Sequence, residues 1–264
     1  MTRTEAAAAM DDHTVAPMAQ YVYAIVPAGT SAPDDLTGID GGAIEMVAYG
    51  PVAAVVGKVG TDRAFGRRDD LLAHSRVTDT LAPHCAVIPM RFGSVVADTD
   101  AVVAELLEPN AEYFSSVLDE LAGHRQFVVR ARYNEEAVLA EIVTENPDIA
   151  ELRERTRGHT VEASWTERIR LGELVAQALE VKRDVDSGTL LDLLVPAAAD
   201  WNIRASGEVD YLIDVALLVA DDRLEEFERA AEEAARDLAG RGRVRLVGPM
   251  APYDFVPGDD PWVS

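Results

Sequence analysis

Apolar residues recur along the chain at two spacings, and the changes between them mark out its elements. Tyr21 to Val26 is a nearly unbroken aromatic and β-branched run closed by Pro27, which predicts a strand. Ala28 to Gly42 is rich in Gly, Pro and Asp and reads as a loop. Ile44 to Tyr49 and Val52 to Val59 flank Gly50-Pro51, the pattern of a hairpin. Asp69 or Asp70 is placed to cap a helix that carries Leu71, Leu72, Ser75, Thr78 and Leu81 before Pro83. Val87 to Val96 is extended chain interrupted by Pro89 and Gly93. Thr99 can cap a helix through Val102, Val103, Leu106 and Leu107. Pro109 is expected to break or kink it before Phe114, Val117, Leu118 and Leu121 carry the stripe to Gly123.

The second half alternates more clearly. Val128 and Arg130 alternate against Phe127, Val129 and Ala131 within a predicted strand, Gln126 to Arg132. Asn134 to Pro196 is helical in character, with divisions expected near Asn146-Pro147 and Asp186-Ser187-Gly188. Ile203 sits in a short strand and Gly207 turns the chain. Val209 to Ala220 follows, with Val209, Tyr211, Ile213, Val215, Leu217 and Val219 on one face. Asp221 or Asp222 is expected to cap a helix whose stripe is Leu224, Phe227, Ala231, Ala234 and Leu238. Gly240 ends it, and Arg243 to Val247 forms the last strand.

These elements predict an α+β protein of two domains meeting near Gly123. Residues 1–19 read as a flexible tail, and 20–123 as a small α+β sheet domain. Residues 124–248 follow the order βαββαβ of a modified ferredoxin-like domain, enlarged by the helical segment 134–196. A Pro- and aromatic-rich tail, 249–264, closes the chain. The opening residues do not read as a signal peptide: Ala6 to Ala9 is too short an apolar stretch, and Asp11 and Asp12 follow it.

Charge narrows the function. The 264 residues hold 24 basic and 47 acidic side chains, a net charge of −23. That argues against nucleic acid and against an anionic membrane surface, since both need basic residues at the contact. The halves divide the charge almost evenly, so neither is a basic partner site hidden by the average. No apolar run reaches the ~20 residues of a membrane span. A lone cysteine, Cys85, forms no intramolecular disulfide and suits a reducing cytosol.

Candidate chemistry is sparse. His84 and Cys85 are adjacent, and His74 stands upstream on the polar side of its predicted helix. No second ligand pair completes a zinc pattern. No phosphate loop, dinucleotide fingerprint, nucleophile elbow or calcium loop is present. Glu225, Glu226, Glu228, Glu232 and Glu233 read as a solvated helix face. Arg241, Arg243 and Arg245 alternate, which places them on one face of the last strand, either as a charged edge or as an anion or partner site. No catalytic, cofactor-binding or metal-binding residue is assigned.

Two segments exceed plain scaffolding. Val87-Ile88-Pro89-Met90-Arg91-Phe92-Gly93-Ser94-Val95-Val96 interrupts an apolar strand with Pro, Arg and Gly, as at a bulge. Gly248-Pro249-Met250-Ala251-Pro252-Tyr253-Asp254-Phe255-Val256-Pro257 uses prolines to hold extended chain, leaving Tyr253 and Phe255 to enter a groove of this protein or of a partner. Arg91, Phe92, Gly93, Pro249, Pro252, Tyr253 and Phe255 are the candidate structural or partner-contact residues.

At these segments the chain resembles the gas vesicle protein F/L (GvpF/GvpL) family. Tyr21 to Val26 is similar to its first strand. His74 followed by Pro89-Met90-Arg91-Phe92-Gly93-Ser94 is similar to its central "PxRFGT" motif, and Gly248 to Phe255 to its "GPWPPYxF" ending. Met250, Ala251, Ser94 and Phe127 depart from the usual residues. The resemblance implies a non-enzymatic accessory or minor structural protein of gas vesicles. Its implied partners are the hydrophobic shell protein, gas vesicle protein A, and other accessory proteins, and its implied place is the cytoplasm or the vesicle. An acidic partner would keep an aggregation-prone shell subunit dispersed during assembly. Two alternatives stand beside this: a small-molecule enzyme or sensor on a ferredoxin-like scaffold, and a generic acidic interaction module.

Overall fold

The computed structural model describes residues 18–61, 64–160, 162–204 and 211–257. Most of the expected N-terminal tail, the Gly207 turn, Val209 and residues 258–264 lie outside them. The chain is a mixed α/β protein with two antiparallel sheets and several helices.

The first sheet is built around β1 (Met18–Pro27). On one side β1 pairs with β3 (Val52–Gly60), which pairs in turn with β2 (Ile44–Tyr49) across the expected hairpin. On the other side it pairs with two fragments, β4 (Ile88–Pro89) and β5 (Val95–Val96). The β1 run is unbroken because both its faces are buried. Tyr21, Tyr23, Ala24 and Val26 pack towards α1 (Arg68–Leu81), while Val22 and Ile25 pack towards the helical stretch after β5.

That stretch comprises α2 (Thr99–Ala101), a π-helical turn (Val102–Leu107) and α3 (Glu108–Leu121). Its cap is Asp98, whose Oδ1 accepts the Ala101 amide at 2.9 Å, rather than Thr99. Pro109 does not break it. The wider turn just before Pro109 absorbs the missing donor, and the Asn110 side chain donates to the Leu106 carbonyl at 2.9 Å. Likewise α1 begins at Arg68, and neither Asp69 nor Asp70 occupies the cap position. Asp70 instead reaches back from the first turn to accept the Gly66 and Arg67 amides.

The second sheet contains β6 (His124–Tyr133), β7 (Asp200–Ile203), β8 (Tyr211–Ala220) and β9 (Gly242–Met250), in the order β7-β8-β6-β9. Between β6 and β7 lie α4 (Glu135–Glu145), α5 (Pro147–Arg157) and α6 (Trp165–Leu194); α7 (Leu224–Asp237) joins β8 to β9. One sheet face, with Phe127, Val129, Ala131, Val215 and Leu217, packs against the end of α6 and against Phe227, Ala231 and Ala234 of α7.

Four further expectations change. Helix α6 runs through Asp186-Ser187-Gly188 without a division. The Ser187 hydroxyl donates to the Leu212 carbonyl, and Leu190 and Leu194 are buried, so packing overrides weak propensity. A 3-10 turn, Asp221–Arg223, stands where Asp221 or Asp222 was expected to cap. Tyr211 leaves the face of Ile213 because the β6–β8 register slips between Ala131 and Arg132. It lies under the Arg130 guanidinium, 5.7 Å from the ring centre. Arg241 precedes β9 and turns to Asp186 on α6, away from Arg243 and Arg245.

Candidate functional site

The two segments singled out in the sequence meet β1 and α1 in one place. After Met90, whose amide donates to the Tyr23 carbonyl at 2.9 Å, the chain arches away from β1 and returns at Ser94. The Ser94 amide and hydroxyl both donate to the Arg91 carbonyl, closing a tight turn. Gly93 has φ +93°, a conformation that costs any residue with a Cβ. Its amide donates to the Tyr21 hydroxyl at 3.0 Å.

The Tyr21 hydroxyl also lies 3.0 Å from Nδ1 of His74. The same hydroxyl thus joins Gly93 and His74, and whether Tyr21 or His74 donates between these two side chains is set by the His74 tautomer. Around this pair stand Tyr23, Phe65, Phe92 and Tyr253, with ring centres 4.7 to 6.5 Å apart. His74 is therefore a buried residue at the centre of an aromatic cluster, not a surface residue on a polar helix face. Burial pushes its pKa down to about 4, opposed by the Met90 carbonyl. The same burial raises the Tyr21 and Tyr253 hydroxyls well above their ordinary range.

The C-terminal segment completes the cluster from the other sheet. Gly248, at φ +137°, leaves no room for a side chain: a Cβ would lie 2.8 Å from the Phe127 ring and 2.9 Å from the Gln126 carbonyl. The Gly248-Pro249 bond is cis. Beyond it, the Ala251 amide donates to Asp79 of α1 at 3.0 Å, and Tyr253 reaches Thr78. Asp254 is held by both ends of the Gln126 amide and by Arg204, while its carbonyl accepts from Asn202. Phe255 and Val256 then pack beneath the first sheet, beside Leu218 of the second. The tail is thus docked on its own chain and ties the two sheets together.

Among the candidates, Phe92, Gly93 and Tyr253 converge on the cluster around His74, while Phe255 packs in the core on the other face of the first sheet. Pro249 and Pro252 shape the strand exit and the turn that follows. Arg91 stands apart, exposed at the crest of the arch. The helical spacing of His74 to Val77 and Leu81 was the signal that it is buried, whereas Leu71 and Leu72 at the start of the predicted helix are exposed.

Elsewhere, a pocket of about 400 Å³ between the sheets is lined by His84, Cys85, His124, Arg125 and Asp221. It holds no activated nucleophile. Burial raises the Cys85 thiol, and Arg125 is committed to Asp221 at 2.6 Å. Among the described residues no group of three or more His, Cys, Asp or Glu side chains is arranged to hold a metal ion. No described helix is long and apolar enough to cross a membrane.

The apolar surface is more distinctive. Among the described residues, edge strand β7 is hydrogen-bonded within the sheet only to β8, and presents Trp201 and Ile203 at 41% and 58% exposure. A groove of about 570 Å³ between α4, α5 and α6 is lined by Ile142, Ile149, Leu174, Ala178, Val181 and Val185.

Fold and site together define a two-sheet α/β scaffold whose most distinctive segments are spent on an internal clasp. The chain belongs to the gas vesicle synthesis protein GvpL/GvpF family, whose model matches residues 19–257. It is 32% identical over 244 residues to gas vesicle protein F of a Streptomyces species, a match covering 90% of this chain and all of the relative. Crystal structures of GvpF from Anabaena and from Microcystis aeruginosa share the fold, with TM-scores of 0.76 and 0.69. Their identities are 23% and 21%, and each comparison covers 90% of this chain and 98% of the other.

Proposed function

We propose that this chain is a non-enzymatic gas vesicle accessory or minor structural protein that binds the hydrophobic shell subunit and limits its aggregation during nucleation and assembly. Family membership across nearly the whole chain carries this reading. Other gas vesicle accessory proteins are its further partners, and the vesicle and the cytoplasm around it are its place. The surface that suits the task is the edge of β7. Among the described residues no other strand of the sheet pairs with its outer side, and Trp201 and Ile203 flank it with apolar area. A strand of the shell subunit added there would gain main-chain hydrogen bonds and cover both side chains. The net charge of −23 would keep the complex dispersed. Arg91, exposed on its arch, is a second contact in this reading.

The same reading extends to architecture. Strand order β7-β8-β6-β9 with the chain order βαββαβ fits a modified ferredoxin-like domain with an enlarged first helical segment, joined near Gly123 to a smaller α+β domain.

The test is light scattering of the shell protein with and without this chain, alongside a pull-down at low and high salt. Delayed aggregation that Trp201→Ser with Ile203→Ser abolishes is the expected result. An unaltered aggregation curve and no pull-down with folded protein would remove the proposal in favour of the small-molecule reading.

A further inference from the structure

The face of the second sheet opposite α6 and α7 carries a concentration of like charge. In the β6–β9 ladder Arg130 stands directly across from Arg245, and Arg132 directly across from Arg243. Such partners have Cβ atoms about 5 Å apart, and like charges placed so destabilise a sheet. Arg130 is offset by Asp214 at 3.0 Å. Arg132, Arg243 and Arg245 are exposed and make no ion pair with another described residue. An open cluster of guanidinium groups is the opposite of what a chain with net charge −23 presents on average.

The complementary surface lies on the same molecule. From Asp98 to Gly123 there is no Lys, Arg or His, while Asp98, Asp100, Glu105, Glu108, Glu112, Asp119 and Glu120 are all exposed. Glu108 and Glu112 are four apart on one helix face, again a self-repelling pair. Each patch is unfavourable alone, and each would be relieved by the other.

We propose that this chain forms a two-fold dimer in which the arginine face of one copy receives the acidic α2–α3 helix of its partner, and the reverse. An isologous arrangement uses both patches at once and closes. The general repulsion between two acidic chains works over longer distances than these contacts. At about 0.15 M salt the Debye length is about 8 Å, so that repulsion is largely screened while close pairs persist. The contact is independent of the β7 edge and of shell-subunit binding.

Sedimentation equilibrium of the full chain at that salt tests it. The wild type should be dimeric at micromolar concentration, and about 1 M salt should dissociate it. Arg243→Glu with Arg245→Glu should weaken the dimer at least about tenfold, and Glu108→Arg with Glu112→Arg should do the same. Combining the four substitutions should restore it. Neutral Arg243→Gln with Arg245→Gln, which relieves the cross-strand repulsion, serves as the weakening variant if the reversed pair fails to fold. A wild type that stays monomeric at millimolar concentration overturns the proposal, as does a four-fold variant no more dimeric than its parents.

Discussion

The hydroxyl of Tyr253 lies 2.8 Å from Oγ1 of Thr78, across 175 residues of sequence, and joins the tail that follows the second sheet to the helix packed on the first. Thr78 is fully buried, and its hydroxyl also lies 2.9 Å from the Ser75 carbonyl. With the Ala251 amide on Asp79, this bond fastens the tail to the last turns of α1. Of the two grooves the sequence left open to this aromatic tail, one of its own and one of a partner, the chain supplies its own.

Removing only the hydroxyl, Tyr253→Phe, should cost about 1 kcal/mol, the worth of one net hydrogen bond. Tyr253→Ala also empties the space beside His74 and should cost about 3 kcal/mol. Urea unfolding of both variants checks the ratio. Equal losses would mean that the hydroxyl, rather than ring packing, holds the tail.

His74 predicts a pH dependence of definite sign. Its pKa is about 4 in the folded protein and about 6.5 unfolded, so the unfolded state binds more protons between these values. Stability is fully present above about pH 6.5 and falls as pH drops towards 4, by about 3 kcal/mol in all. His74→Gln keeps a hydrogen-bonding partner for Tyr21 and lacks the titration. The difference in unfolding free energy between wild type and variant should therefore shrink across that window, with the carboxylates common to both cancelling.

At Gly248 the backbone conformation and the surroundings both require glycine. Gly248→Ala combines a positive φ with a Cβ 2.9 Å from the Gln126 carbonyl, which cannot move without breaking the β6–β9 register. A loss of about 2–3 kcal/mol is expected, with the tail more open to protease than in Tyr253→Phe. A loss under about 0.5 kcal/mol would show that this crossing relaxes freely.

The faces of α7 offer a matched pair. Phe227 is fully buried against Phe127, ring centres 4.9 Å apart, and Phe227→Ala should cost about 3–5 kcal/mol. Glu232 is exposed on the opposite side, and Glu232→Ala should change stability by no more than about 0.5 kcal/mol. Similar losses in a denaturant melt would reject the assigned faces.

The sequence by itself determined the elements whose apolar residues are grouped locally: β1, β3 and β8 as nearly unbroken runs bounded by turn residues, and α7 by the spacing of its stripe. Burial on both faces of a strand, or on one face of a helix, writes such a pattern into neighbouring residues. The sequence also marked Arg91-Phe92-Gly93 and the Pro-rich ending as special, because Gly and Pro there answer to backbone conformation. The fate of those residues was decided only by tertiary structure. His74, Tyr21, Gly93 and Tyr253 are scattered over more than 230 residues, and no local period records that they meet. Asp186-Ser187-Gly188 stays helical because a distant partner, the Leu212 carbonyl, and the burial of Leu190 and Leu194 supply what local propensity lacks. The arginine face has the same origin: a chain acidic in both halves becomes basic in one place because strand register sets Arg130 against Arg245 and Arg132 against Arg243.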